Sequence, residues 1–160
     1  MYFLPRLAFA IAILMSSPLI VFASTQSVDQ SLSNDCSSKG NSWLQCMVCN
    51  CYFETDRGQP DEFADMVEIN RVVLTRADHR HTDPCTEIYR RSQFSWTLYS
   101  DDRKQMVRDG QYNRCVTASK VAKSKGASGF DHYHDYRVTP NGWSCFDNGK
   151  QVGHDVFCSL

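Results

Sequence analysis

Ser42-Trp43-Leu44-Gln45 opens, and Cys51-Tyr52-Phe53-Glu54-Thr55-Asp56-Arg57-Gly58-Gln59-Pro60 closes, the stretch that decides how this chain folds. A hydroxyl followed three residues later by Gln has the form of a capping box. Trp43, Leu44, Met47, Val48, Cys51 and Tyr52 then recur at helical spacing. Together they predict a helix from about Ser42 to about Phe53 with one buried stripe. Glu54 falls where that helix breaks into a polar loop closed by Gly58 and Pro60. A carboxylate with apolar side chains behind it and solvent ahead holds its proton toward neutral pH, because burial disfavours the charged form. A general acid requires that property. The competing reading is an ordinary polar helix end.

Working outward, Pro60-Asp61-Glu62 suits the first turn of a second helix. Phe63, Met66, Val67, Val73, Leu74 and Ala77 give it an apolar face to about Ala77. Asn70 interrupts that face, either as a satisfied polar residue at its edge or as an amide that fixes the loop after Glu54. Asp78 to Pro84 reads as a polar turn, and Cys85 to Tyr89 as a short helix or strand. Gln93-Phe94-Ser95-Trp96-Thr97 reads as an aromatic and polar loop against the site. Asp101 to Lys125 reads as helical with an interruption near Asp109-Gly110, and has Cys115, Ala118, Ser119 and Ala122 on one face. Gly126 to Gly129 ends it.

From Phe130 the period changes to two: His132, His134 and Tyr136 alternate with Tyr133, Asp135 and Arg137. Pro140-Asn141-Gly142 and Asp147-Asn148-Gly149 are turn signals, and Val152 to Cys158 alternates as a final strand. The expected class is α+β, mainly helical, with a short C-terminal β-element.

The chain begins with Arg6 ahead of two apolar runs, Leu7 to Met15 and Leu19 to Ala23, separated by Ser16-Ser17-Pro18. That reads as a signal peptide, residues 1–23, cleaved after Ala23. The alternative is an uncleaved anchor, but the Ser-Ser-Pro break leaves each run too short to span comfortably. Residues 24–40 form a polar lead-in, expected to be mobile, and 41–160 form one domain. A formal net charge of −1 lacks the basic field of a nucleic-acid binder. All eight cysteines lie beyond the signal. An even count in an exported chain predicts a framework of up to four bridges, with roughly a hundred possible connectivities.

Several motifs occur in a fixed order: Tyr52-Phe53-Glu54, Arg57-Gly58, Asn70-Arg71-Val72, Cys85, Gln93-Phe94-Ser95-Trp96, His132-Tyr133-His134, Val138, Pro140, Trp143, Gly153-His154 and Val156-Phe157. This set resembles the SleB/CwlJ-type cell wall hydrolases, the spore-cortex-lytic enzymes and their relatives. It covers about Cys46 to Phe157. The resemblance implies a small lysozyme-like domain, disulfide-braced in this chain, that cleaves peptidoglycan glycan strands by lytic transglycosylation. The family's catalytic glutamate falls on Glu54. Where the family commonly reads Glu-Ala-Arg-Gly-Glu, this chain has one residue more and Gln59 in place of the second glutamate, with Asp56 or Glu62 as possible substitutes.

On this reading Arg57, Gly58 and Asn70 shape the catalytic loop, and Gln93, Ser95, Trp96, His132 and Tyr133 line a sugar cleft. Amides suit sugar hydroxyls, and indole faces suit pyranose rings. The competing reading of Trp96 and Trp143 is core packing. The expected partner is the peptidoglycan glycan strand, in the periplasm or outside the cell, with no cofactor, no metal, no nucleic acid and no stable membrane anchor after cleavage. Three alternatives stand beside it. His79 with His81, and His132 with His134, each place two imidazoles at a spacing that zinc uses, with His154 and a carboxylate to complete a site and Cys46, Cys49 and Cys51 as further candidate ligands. One cysteine with His132 or His134 would make a thiol nucleophile. A domain that binds wall glycan without cleaving it is the third.

Overall fold

The computed structural model describes residues 32–38, 40–55, 62–137 and 145–159. The signal segment 1–23, the loop residues Asp56, Arg57, Gly58 and Gln59, and Val138, Pro140 and Trp143 lie outside the described residues.

Helix α1 (Trp43–Glu54) starts as the sequence predicts: the Ser42 hydroxyl accepts the N–H of Gln45. Only half of the box forms, because the Gln45 side chain turns away and donates to the Ser33 carbonyl at 2.7 Å. The expected stripe is also corrected. Every residue from Gln45 to Tyr52 is buried, so α1 is enclosed on all sides. A helix of that kind is the centre of a core and not its edge.

Around α1 pack α2 (Glu62–His79), the short α3 (Pro84–Ile88) and α4 (Gly110–Lys125). Asp83 caps α3, and Asp109 caps α4 by accepting the Tyr112 N–H. The span from Asp101 is less helical than expected. It has one 3-10 turn, Asp101–Arg103, and is then extended until α4 begins. The extended part is used by the lead-in: Asp35 pairs with Gln105, and Cys36 and Met106 exchange backbone bonds with Lys104 and Asn34. Leu32 and Cys36 of the lead-in are buried against the folded body.

Four disulfides join Cys36 to Cys49, Cys46 to Cys85, Cys51 to Cys115 and Cys145 to Cys158. Three of them end on α1. No cysteine is free, which removes the thiol-nucleophile alternative.

The C-terminal element is a three-stranded antiparallel sheet in the order β1-β3-β2. It comprises β1 (His132–Asp135), β2 (Lys150–Val152) and β3 (Asp155–Cys158), with one helical turn, α5 (Cys145–Asn148), before β2. The run expected as one final strand is therefore a hairpin that turns at Gly153-His154. Phe157, on the central strand, packs against Ile69 and Val72 of α2 and fixes the sheet to the helical body. Phe63, expected on the buried face of α2, is 41% exposed, while Met66 and Val67 one turn on are buried.

Candidate active site

Glu54 is the last residue of α1, and several contacts fix that helix end. Cys51 is bonded to Cys115 of α4 one turn earlier. The Gln111 amide donates to the carbonyls of Tyr52, at 3.1 Å, and Thr55, at 3.4 Å. The Tyr52 hydroxyl accepts the N–H of Val107. These bonds satisfy carbonyls that a helix end leaves without partners and aim Glu54 at one place.

That place is a cavity of about 290 Å³. Glu54 and Thr55 form one wall and Asp65 of α2 lies beside them. Tyr133, His134, Asp135, His154 and Asp155 of the sheet complete the lining. Glu54 is half-buried, and the Tyr133 hydroxyl donates to its Oε2 at 2.8 Å. Burial raises the Glu54 pKa above the ordinary carboxylate value, while the Tyr133 bond and the Arg76 charge pull partly the other way. The negative end of the α1 dipole disfavours the carboxylate further. Burial and the facing Glu54 push the Tyr133 phenol well above its usual pKa, so it acts as a donor.

Asp65 ties α2 to the β2–β3 turn by accepting the His154 N–H at 3.0 Å. A Cβ at residue 153 would lie 2.2 Å from Asp65 Oδ2, and the backbone there has φ +56°. Only glycine meets both demands. On the far side, Arg137 clamps Asp135 and holds its carboxyl down at about 2.

The sequence-derived cleft residues are dispersed. Tyr133 lies in the cavity with Glu54. Gln93 and His132 instead line a smaller recess with Arg76, His79, Arg80 and Asp131. Ser95 is exposed on a 3-10 turn (Ser95–Leu98) and lines neither. Trp96 must be corrected: its side chain is fully buried, stacked on Phe53 at 5.1 Å, and its Nε1–H donates to Asn50 Oδ1. It has no face to offer a sugar. Asn70 is corrected too. It is fully buried and donates to the Ser119 hydroxyl of α4 at 3.0 Å, so it joins two helices.

Glu62, a possible second carboxylate, is held by Arg114 through both oxygens. The carboxylates that do share the cavity with Glu54 are Asp65, Asp135 and Asp155, which the sequence reading missed. Asp65 looks like an acid in a first helical turn, and its partner is 89 positions away. Among the described residues no three metal-ligating side chains come together.

The chain thus has a mainly helical body, a small antiparallel sheet and a cavity lined from both. No family model matches the chain, and no curated protein does. Among solved structures, the catalytic domain of the germination-specific lytic transglycosylase SleB from Bacillus anthracis is similar. It has 18% identity and a TM-score of 0.54, covering 76% of this chain and 99% of that one. The catalytic domain of the Bacillus cereus SleB protein is similar at 17% identity and TM-score 0.51, covering 76% and 94%. The likeness is one of fold, and these are the proteins that the order of motifs resembles.

Proposed function

We propose that this is an exported enzyme that cleaves the glycan strands of peptidoglycan, with Glu54 as proton donor and then proton acceptor. The observation that carries the reading is Glu54 itself: a carboxyl biased toward its protonated form and facing an open cavity. The fold shared with two SleB catalytic domains, one of them that of a lytic transglycosylase, supports it, as does a disulfide-rich body suited to an oxidising compartment. No described helix is long and apolar enough to cross a membrane. Arg57 and Gly58 belong to the proposal as residues that shape the loop after Glu54.

Because Oε2 accepts from Tyr133, the transferable proton belongs on Oε1. Glu54 passes it to the oxygen that leaves the muramic acid anomeric carbon, and the glycosidic C–O bond breaks. The muramic acid 6-hydroxyl then closes on that carbon and gives its proton to the Glu54 carboxylate. The products are a free 4-hydroxyl and a 1,6-anhydro end, with Glu54 protonated again and no water consumed. One carboxyl group suffices.

Hydrolysis is the second reading, favoured by the aspartates that line the same cavity, since an activated water calls for a second carboxylate. Mass spectrometry of purified peptidoglycan after incubation with the protein, beside Glu54→Gln, separates the two. Anhydro ends that depend on Glu54 support transglycosylation. Reducing ends that depend on it mean hydrolysis, with Asp65→Asn and Asp155→Asn next. Glycan bound but uncut by either protein would leave a binding domain.

A further inference from the structure

The smaller recess takes Asp131 and His132 from the start of β1, and the Glu54 cavity takes the next three residues, Tyr133, His134 and Asp135. Arg76 connects the two. It lines the recess, and its charge acts on both Glu54 and Tyr133. The recess measures about 60 Å³, space for about four to six water-sized groups. A carboxylate with its attached carbon fits there.

The charges are unevenly matched. The half-buried Arg76 donates from Nε to the Asp131 carbonyl, and its guanidinium lies 5.4 Å from the Phe94 ring centroid. Its two terminal nitrogens make no hydrogen bond to any described residue. Nearby carboxylates are engaged elsewhere. Glu87, fully buried, is held by Arg80 and Arg90, and Asp131 pairs with His132 at 2.7 Å. Arg80 and Arg90 share Glu87, and among the described residues Arg76 has only the longer-range charges of Glu87, Asp131 and Glu54, with no carboxylate on its terminal nitrogens. A cation taken partly out of water normally gains a paired anion, and a planar guanidinium presents a fork that matches a carboxylate. Gln93, whose Oε1 accepts from Arg80 at 3.3 Å, leaves its amide N–H groups as further donors.

We propose that this recess is a subsite for a carboxylate carried by the glycan, on the muramic acid lactyl group or on the peptide attached to it. The inference rests on the peptidoglycan reading and deepens it, because glucosamine units carry no such group. It gives the chain a way to tell the two sugars of the strand apart and to set the register of the strand over Glu54.

The test is a titration of the protein with single sugars, which does not depend on catalysis. The signals followed by NMR are the Arg76 Nε–H and the imidazoles of His79 and His132. N-acetylmuramic acid, with its free lactyl carboxylate, is expected to shift these signals with saturation, and N-acetylglucosamine is not. Gln93→Glu keeps an acceptor for Arg80 and puts a negative charge in the recess, so it should weaken the muramic acid response about tenfold or more. A response to a muramoyl dipeptide and not to the free acid would also support the subsite and assign the peptide carboxylate as its ligand. Equal responses to both monosaccharides, equal response to acetate, no response of these signals to any muramic compound, or no loss in Gln93→Glu would each overturn it. Failure here leaves the Glu54 chemistry standing, since the product analysis addresses that separately.

Discussion

The helical body and the C-terminal sheet are built on different scales. Three disulfides end on α1, and one continuous core joins α1, α2, α3 and α4. The sheet has strands of three or four residues, a single bridge of its own, and a small core of Phe157 against Ile69 and Val72. Yet the cavity takes Glu54 from the first and Tyr133, His134, Asp135, His154 and Asp155 from the second. Glu54, the proposed proton carrier, sits on the disulfide-braced part, and Tyr133, whose hydroxyl bonds it, sits on the lighter part.

Four variants separate the two contributions. Glu54→Gln should have the largest effect on activity, a loss of about 10²–10⁴-fold in glycan cleavage, as expected for removal of a general acid. The same change should raise the melting temperature at pH 7. The folded state holds the Glu54 proton above the ordinary 4.5, so stability falls as pH rises from 4.5 through the raised value. The gain should vanish below 4.5. A variant equally stable to wild type at both pH values would contradict the burial argument.

Next, Cys51→Ala with Cys115→Ala opens a loop with sequence separation 64 and should cost about 4 kcal/mol by denaturant unfolding. It should reduce activity with it, because that bridge is anchored one turn from Glu54. Cys145→Ala with Cys158→Ala opens a separation of 13 and should cost about 3 kcal/mol. Its far-UV helical signal should persist, while the pH limb of activity moves. If instead the helical body melts with the sheet, the two regions are one cooperative unit. The smallest effect belongs to Tyr133→Phe. Loss of one hydrogen bond should change the rate at the optimum by about tenfold or less. The Tyr133 bond favours the carboxylate, so its removal should raise the Glu54 pKa and carry the alkaline limb to higher pH.

What could be read without coordinates follows from range. Helix α1, its Ser42 cap and its end at Glu54 are set by residues within a turn or two of one another. The disulfide count follows from composition. The errors involve distant partners or very short elements. Trp96 resembles a sugar platform until its indole N–H is seen on Asn50, 46 positions earlier. Asn70 is explained by Ser119, 49 positions later. Val152 to Cys158 alternates well enough for one strand, and only the tight approach of Gly153 to Asp65 shows why it turns midway. Arg76 carries no periodic or motif signal, since a cation near the end of a helix is ordinary.

The cysteine pairing has a consequence for biogenesis. Taken in chain order, the first six cysteines join first to third, second to fifth and fourth to sixth, so each link interlocks with the next. A chain emerging N-terminus first into an oxidising space shows Cys36, Cys46, Cys49 and Cys51 long before Cys85 and Cys115. Oxidation of neighbours as they appear would join Cys36 to Cys46 and would trap the helix segment that bears Glu54. The correct linkage needs either helix α1 to form before oxidation or a catalyst that reshuffles early bonds. The yield of active protein should therefore depend on disulfide isomerisation more than on oxidising power.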